Sequence, residues 1–299
     1  MDRLRAFEVF ASVVAKGSFT RAAAALETSP ANVTRYVNEL EAHLGTRLLN
    51  RSSRKVSLTE SGRALHERCA NILDDVAEAE AQVATSESQP RGVLRMSLPH
   101  SFGLRYVAPL VPEFCRRYPE LQLELNFSDR IVDLVEEGID MALRITAEPK
   151  TGLVARKLAP APMVCCAAPD YLRQHGVPQT PEALREHECL TYSYAPAAAW
   201  SFRRDGRDIG VHVKGRLRAN SGDMSRHAAV AGLGIAQLPT FLACDDLRAG
   251  LLLPLLVDYA QPELGVYAVY QPAARRSARI RAMVDYLWEA LGQGRPPWL

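Results

Sequence analysis

Proline is almost missing from the first third of this chain. Of 19 prolines in 299 residues, only Pro30 precedes residue 90. Proline removes a helical hydrogen bond and clashes with the preceding turn. Its scarcity therefore predicts that residues 1–89 are helical apart from a short hairpin, and its return predicts a mixed α/β remainder. Long apolar runs are missing too. Leu251–Val257 is short and interrupted by Pro254, far from the roughly 18 residues that span a bilayer. Asp2, Arg3, Arg5 and Glu8 interrupt the apolar pattern at the N-terminus, so it lacks the continuous apolar segment of a secretory leader. A cytoplasmic protein with no membrane partner is expected. The six cysteines include no C-x-x-C pair, and a chain of this length needs no disulfide to hold a core. They are expected to fill the interior rather than hold a metal or form a redox centre.

Catalytic signatures are likewise absent. There is no G-x-S-x-G, no H-E-x-x-H and no P-loop, and His66, His100, His175, His187 and His227 show no metal-ligand spacing. Gly232-x-Gly234 stands between a helix and a strand, the reverse of the strand-then-glycine order of a dinucleotide site. An enzyme is not expected, nor is a cofactor or a metal. A composition of 47% hydrophobic and 23% charged residues excludes disordered and collagen-like chains, and the length suits two or three domains.

A large charge of one sign is missing as well: 36 Lys and Arg against 34 Asp and Glu leave +2, which argues weakly against coating nucleic acid by bulk charge. The balance is nevertheless local. Residues 1–58 carry nine basic and five acidic side chains, residues 59–89 two and seven, and the remainder 25 and 22. The polar stretch Thr85–Gly92, ending in Pro90-Arg91-Gly92, reads as a linker.

In the basic segment Leu4, Phe7, Phe10 and Val14 recur at helical spacing up to Gly17. Ser18 suits the N-cap of a short alanine-rich helix, Phe19–Leu26. Ser29-Pro30 is a cap followed by a first-turn proline, opening a third helix to about Leu44. Its apolar stripe, Val33, Val37, Leu40 and Leu44, leaves Asn32, Thr34, Arg35, Tyr36 and Asn38 off the buried side. A polar turn, Asn50–Ser57, follows between two short extended pieces and carries Arg51, Arg54 and Lys55. Helix, helix, turn, helix and basic hairpin describe a winged helix-turn-helix, whose third helix enters the major groove. Arginine reads guanine, asparagine reads adenine and a threonine methyl touches thymine; the wing suits phosphates or the minor groove. Thr28, Ser29, Asn32, Thr34, Arg35, Tyr36, Asn38, Arg51, Arg54 and Lys55 are thus the candidate contacts to double-stranded DNA. A small helical protein-interaction domain is the competing reading.

The residues F-x-x-V-V-x-x-G-S-F-T-x-A-A-x-x-L (Phe10–Leu26), S-P-A-N-V-T-R (Ser29–Arg35), L-E-x-x-L-G-x-R-L-L-N-R (Leu40–Arg51) and L-T-E-S-G (Leu58–Gly62) resemble the LysR-type transcriptional regulators. The resemblance is dense over about the first 65 residues. Asn32 replaces the family's usual small residue and Thr34 its usual serine, which puts the base sequence read, rather than DNA binding itself, in question.

Leu65, Ile72, Val76, Ala79 and Val83 then form a heptad-like seam. Thr59 suits the N-cap, although Ser57-x-x-Glu60 also fits a capping box. Such a helix must bury its stripe, either on the N-terminal domain or against its twin in a second chain. The resemblance implies that residues 59–89 are the dimerising linker helix, with a homodimer and further a homotetramer.

From residue 90 the pattern becomes α/β. It predicts strands at Val93–Leu98, Leu121–Phe127 and Ile139–Ile145, with helices from Pro99 to about Tyr118 and over Asp129–Glu137. A second set follows: strand Pro162–Ala168, helices near Pro169–His175 and Pro181–His187, strands near Tyr192 and over Val211–Leu217, helix Asp223–Ala231 and strand Gly234–Leu238. Strand Gly265–Tyr270 and helix Arg275–Leu291 close the chain. This order implies two α/β subdomains, I over about 90–161 and 268–299 and II over about 162–267, with a cleft between them. Ligand groups belong at strand C-termini and helix N-termini, which selects Pro99, His100, Ser101, Ser128, Arg144, Thr146, Asn220 and Ser221. Trp200 and Phe202 are either an apolar wall or core. The serines are either ligand contacts or helix caps, and Arg144 suits a carboxylate. S-L-P-H-S-F-G, V-D-L-V-E-E-G-x-D-M-A-L-R-I and A-G-L-G-I-A-Q-L-P resemble the same family's effector domain, which has the fold of periplasmic binding proteins. The resemblance implies a small-molecule co-inducer and, for an activator, RNA polymerase as a further partner.

Overall fold

The computed structural model describes residues 2–52, 55–66, 68, 69, 72, 73, 76, 90–194, 199–293 and 296–299, with the side chains of Arg51, Ser52, Lys55 and Arg276 outside that description. The chain forms two compact units, Met1–Gln89 and Pro90–Leu299.

In the first unit, helix α1 (Arg3–Lys16) starts where the Asp2 carboxylate accepts the Arg5 N–H and stops at Gly17 with φ 60°. Helix α2 (Phe19–Ala25) is capped by Ser18, and α3 (Pro30–Leu44) by Ser29. Two apolar stripes differ from those expected. On α1 the buried residues are Ala6, Val9, Phe10 and Val13, while Leu4 is 44% exposed. The small Ala6 side chain lies on the packed line, and Leu4 sits in the first turn outside it. On α3, Val33, Val37 and Leu40 are buried but Leu44, in the last turn before Gly45, is 41% exposed.

Strands β1 (Leu49–Ser52) and β2 (Lys55–Leu58) pair antiparallel, Leu49 opposite Leu58 and Ser52 opposite Lys55. The Glu41 carboxylate ties this hairpin to α3 by accepting the N–H groups of Leu48 and Leu49 at 2.8 and 3.1 Å. The chain is helical again at 60–66, 68–69, 72–73 and 76 (α4). Thr59 is its cap, accepting the Gly62 N–H at 3.0 Å while its hydroxyl donates to the Arg47 carbonyl at 2.7 Å. Ser57 lies in β2 and has no part in a capping box. Gly62 is required there, because a Cβ would overlap the Leu48 carbonyl. Leu65 and Cys69 pack into the core of the first unit, His66 meets Phe10 edge-on, and Ile72 is 39% exposed. The start of α4 therefore folds onto its own domain. Ala79 and Val83 lie outside the described residues.

In the second unit one sheet runs β10-β7-β11-β6-β13-β5-β3-β4, with β12 also paired to β6. Its strands are β3 (Gly92–Leu98), β4 (Leu121–Phe127), β5 (Met141–Thr146), β6 (Val154–Ala167), β7 (Cys189–Tyr192), β10 (Arg218–Ala219), β11 (Ile235–Pro239), β12 (Leu253–Leu255) and β13 (Glu263–Tyr270). A separate hairpin, β8 (Ala199–Arg204) and β9 (Arg207–His212), turns at Asp205 and Gly206, both at positive φ. Strand β6 joins the two lobes: its first part pairs with β13, and its last residues pair with β11 and β12. The main core runs across both halves, with Phe102, Phe241 and Trp298 in mutual ring contact.

Several elements depart from expectation. Residues 129–137 form no helix. The Asp133 carboxylate accepts the N–H groups of Val135 and Glu136, and Gly138 closes the turn at φ 62°, because an aspartate that bonds nearby backbone competes with the helical ladder. The segment after Pro99 is broken into α5 (His100–Phe102), a π turn Gly103–Val107, a 3-10 turn Ala108–Leu110 and α6 (Val111–Arg117). Pro109 and Pro112 deny it one regular ladder. Strand β6 starts at Val154 rather than Pro162, since Pro160 and Pro162 sit inside it with their carbonyls still available for pairing. Helix α7 (Pro169–His175) is followed by a 3-10 turn, Pro181–Glu186. The strand expected at Val211–Leu217 ends at His212. Helix α8 (Gly222–Val230) is present, helix α9 (Thr240–Arg248) was not expected, and the final helix α10 (Ala278–Ala290) follows a 3-10 turn, Pro272–Arg276.

No helix among the described residues is long and apolar enough to cross a membrane. Cys115 is exposed and the other five cysteines are buried. Burial pushes the Cys69 thiol up to about 11 and those of Cys166 and Cys189 up to about 12, so these remain thiols at neutral pH and are poor nucleophiles.

Candidate DNA interface and ligand site

Helix α3 owes its exposed leading turns to its cap. The Ser29 hydroxyl accepts the Asn32 N–H at 3.2 Å, and Pro30 occupies the first helical position, where no N–H is needed. With Val33, Val37 and Leu40 turned into the core, Asn32, Arg35 and Asn38 are exposed, while Thr34 and Tyr36 are half-buried. These side chains are partly engaged among themselves. Asn32 Nδ2 donates to Thr28 Oγ1 at 3.3 Å, and the Thr34 hydroxyl donates to the Pro30 carbonyl at 2.9 Å. Arg35 Nη1 meets Glu39 Oε1 at 3.0 Å, and its guanidinium lies 4.8 Å from the Tyr36 ring centre. Arg35, Tyr36 and Glu39 also line an open hollow of 690 Å3 together with Asp2, Ala42 and His43. The set offers an arginine fork, amides and a methyl along one helix face, which is the chemistry of base-edge readout. The wing backbone is described at both strands. Arg54 and the side chains of Arg51 and Lys55 lie outside the described residues.

In the second unit, β3 runs parallel to β4 and β5, so Pro99, His100, Ser101, Ser128 and Thr146 fall at one edge of the sheet. The Ser128 N–H donates to the Leu98 carbonyl at 2.9 Å, and the His100 N–H to Asp129 Oδ1 at 2.9 Å. In the other lobe β7 and β10 are parallel, which puts Tyr192 and Asn220-Ser221 at a common edge. The Tyr192 hydroxyl is pushed up by burial and by the Asp129 carboxylate beside it, a contact that joins the two edges.

The serines now separate. Ser221 caps α8 by accepting the Met224 N–H at 3.4 Å, and Ser128 accepts the Arg130 N–H at 3.2 Å. The Thr146 hydroxyl donates to the Glu148 carbonyl at 2.9 Å. Ser101 Oγ is buried without any partner, and so is Thr240 Oγ1 at the start of α9. Phe102 and Phe241, their neighbours in the chain, have ring centres 5.3 Å apart across the two lobes. Sequence reasoning missed Thr240 because Pro239-Thr240 reads as the end of a strand. It missed Tyr192 because nothing local marks a tyrosine that meets Asp129 from another lobe. Trp200 and Phe202 are not a cleft wall. They are buried on β8 against Tyr171, Leu172, Leu184 and Val211, because the β8–β9 hairpin turns that face onto the second lobe's core. Arg144, on β5, places Nη1 3.2 Å from the Leu143 carbonyl and 3.5 Å from Ser97 Oγ. Among the described residues no group of three or more His, Cys, Asp or Glu side chains is placed to hold a metal ion.

Residues 4–63 match the family model for the bacterial regulatory helix-turn-helix protein of the lysR family, and residues 87–292 match the LysR substrate binding domain. The transcriptional regulator CrgA of Neisseria meningitidis is 36% identical over 285 residues, covering 95% of each chain. The transcriptional activator TtdR of Escherichia coli is 34% identical over 293 residues, covering 97% of this chain and 94% of its own. Among solved structures, CrgA superposes with a TM-score of 0.61 at 35% identity over 96% of this chain and 98% of its own. The virulence activator AphB of Vibrio cholerae superposes with a TM-score of 0.59 at 28% identity, covering 95% of this chain and 98% of its own.

Proposed function

This chain belongs to the LysR-type family of transcriptional regulators, with a helix-turn-helix DNA-binding domain and a substrate-binding domain, and from that premise we propose how its parts act. Residues 1–58 are the winged DNA-binding domain, 59–89 the dimerising helix and 90–299 the effector domain. Helix α3 enters the major groove with Thr28, Ser29, Asn32, Thr34, Arg35, Tyr36 and Asn38 toward the bases and nearest phosphates, and Arg51, Arg54 and Lys55 of the wing hold the flanking backbone. Two such heads, paired through the 59–89 helices and assembled further into a tetramer, read a site of matching two-fold symmetry.

A small molecule binds where the two lobes meet, near Pro99, His100, Ser101 and Thr240, with Ser128, Thr146, Asn220 and Ser221 at the rim. Its binding shifts the lobes and hence the separation of the DNA-binding heads. The observation that carries the ligand reading is the pair of buried hydroxyls without partners, Ser101 and Thr240, one from each lobe. A buried polar group left unbonded costs about 1–3 kcal/mol, which a ligand that hydrogen-bonds both would recover. An activator of this design contacts RNA polymerase.

Gel-shift titration of the full chain on DNA upstream of its own gene tests the DNA-binding reading. A sequence-specific complex that weakens steeply with salt is expected, and equal affinity for unrelated DNA would reject it. Ser101→Ala and Thr240→Val should abolish the response of that complex to effector while leaving unliganded binding in place. An undiminished response in both variants would remove these hydroxyls from the ligand site.

A further inference from the structure

Arg144 is a charged side chain largely shut away from water and short of partners. Its Nη1 has the Leu143 carbonyl and the more distant Ser97 hydroxyl, while Nη2 is buried with none. Among the described residues no carboxylate lies within ion-pairing distance of it. The nearby Glu137 is already engaged, accepting from Arg130 at 2.6 Å and from the Asp133 N–H at 3.2 Å. Burial pulls the Arg144 guanidinium below its usual pKa, Glu137 opposes that, and Arg130 adds to it. Buried charges in proteins are normally paired, and each exception calls for an explanation.

The surroundings suggest one. Side chains alternate along a strand, so Arg144 shares a sheet face with Ala142 and with its cross-strand partner Tyr267. Ser97, opposite Ala142 on β3 and wholly buried, faces the same side. That face is covered by Val132, Leu134 and Ile139 from the turn after β4 and by Leu153. The Tyr267 ring lies over Gly265, where a side chain would collide with it. A guanidinium fork therefore stands at the margin of an aliphatic cluster, with an aromatic ring opposite and a second cation, Arg130, close by. Had the site been meant only to be closed, an apolar residue of the same length would do so without desolvating a charge.

We propose that Arg144 anchors the carboxylate of a small apolar acid, whose body lies against the cluster of Val132, Leu134, Ile139 and Leu153. Two parallel N–H···O bonds from the fork would satisfy the free Nη2, a geometry that lysine does not reproduce. Ser97 positions the fork from behind. This rests on the reading of residues 90–299 as an effector domain and gives that domain a chemical class of ligand, at a second site on the sheet face of Ser97, Arg144 and Tyr267.

Thermal unfolding of the full chain tests it, with butyrate, hexanoate and phenylacetate as probes, their amides as uncharged counterparts, and acetate and phosphate as anions without an apolar body. At saturation at least one of the three acids should raise Tm by about 5 °C, and its amide should not. Arg144→Met should remove that shift, while the Tm of the unliganded chain stays unchanged or rises because an unpaired buried charge is gone. Arg144→Lys should lose most of the shift. A Tm several degrees lower in unliganded Arg144→Met, or failure of that variant to fold, would make Arg144 a structural residue and overturn the proposal. So would equal shifts from acetate and phosphate, which mark adventitious anion binding, or no shift from any acid. If an acid stabilises the chain through Arg144 yet leaves operator affinity unchanged, the site stands and its regulatory role falls.

Discussion

Replacement of Arg35 by alanine separates base reading from charge. The Arg35 side chain is 55% exposed and engaged through Nη1 by Glu39, itself 36% exposed. An exposed pair at this helical spacing contributes about 0.3–0.5 kcal/mol, so Arg35→Ala should lower stability by no more than ~0.5 kcal/mol. Its effect on DNA should be far larger. With Nη1 held by Glu39 and the plane resting on Tyr36, Nη2 and Nε remain to meet a guanine edge. Loss of such a contact costs about 1–3 kcal/mol, or roughly 5- to 150-fold in affinity, at one base-pair position. The substitution also leaves Glu39 without its cation, so a smaller loss on every sequence should accompany it. Competition binding against an operator and its single-base variants, repeated at several salt concentrations, resolves the two parts. The expected outcome is discrimination lost at one position, with the salt slope changed by less than one phosphate contact. If instead Arg35→Ala weakens all sequences equally and flattens the log–log salt slope by about 0.9, Arg35 holds a phosphate and the base-reading argument is wrong.

Four further outcomes follow from particular contacts. Ser29→Ala removes the α3 cap and should cost about 1 kcal/mol, seen as a lower denaturation midpoint with Asn32 and Thr34 chemistry intact. Gly62→Ala should destabilise the first unit strongly, since its Cβ would overlap the Leu48 carbonyl; a near-neutral circular-dichroism melt would mean that α4 can shift away. Asp246 is 4% exposed and accepts Arg226 Nη2 at 2.7 Å within a two-bond pair, so Asp246→Ala should cost about 1.5–3 kcal/mol, because Arg226 is 23% exposed and keeps the charges of Asp223 and Asp245 nearby. His187 is buried with Nδ1 3.2 Å from the Tyr171 hydroxyl, and burial, then His175, lower its pKa against the pull of Glu186. The unfolded state therefore binds the proton first. This contribution is whole above about pH 6.5 and is lost as pH falls toward the folded value. His187→Gln should flatten stability against pH in that window, and an unchanged profile would contradict the assignment.

Much of the first unit was legible because its signals are local. Ser18, Ser29 and Thr59 cap the helices their positions implied, and Gly17 and Gly45 end them with positive φ. The stripes were legible only to within a residue: Leu4 and Leu44 have the right periodicity yet lie beyond the packed length of their helices. In the second unit the errors fall where local chemistry competes with pattern. Asp133 turns an apparently helical stretch, Pro160 and Pro162 hide the middle of β6, and α9 is masked by the proline before it. The Asp205-Gly206 pair of the β8–β9 hairpin, with both residues at positive φ, is by contrast a local turn signal.

By itself the sequence determined the family, the helix-turn-helix head, the α/β class of the remainder and the segregation of charge behind a net +2. The family rests on the resemblance of its motifs and the charge on counting; the head and the α/β class follow from residue types at short, fixed separations, where backbone sterics and helical or strand period leave few choices. Tertiary structure alone decided which polar groups are satisfied. Ser101, Ser128 and Ser221 are the same residue in similar positions, but two of them accept backbone N–H groups and one is buried with nothing to bond. Arg144 could have met a carboxylate and did not, and Trp200 could have lined a cleft and instead closes a core. Partnership and burial depend on residues distant in the chain, so no local pattern encodes them.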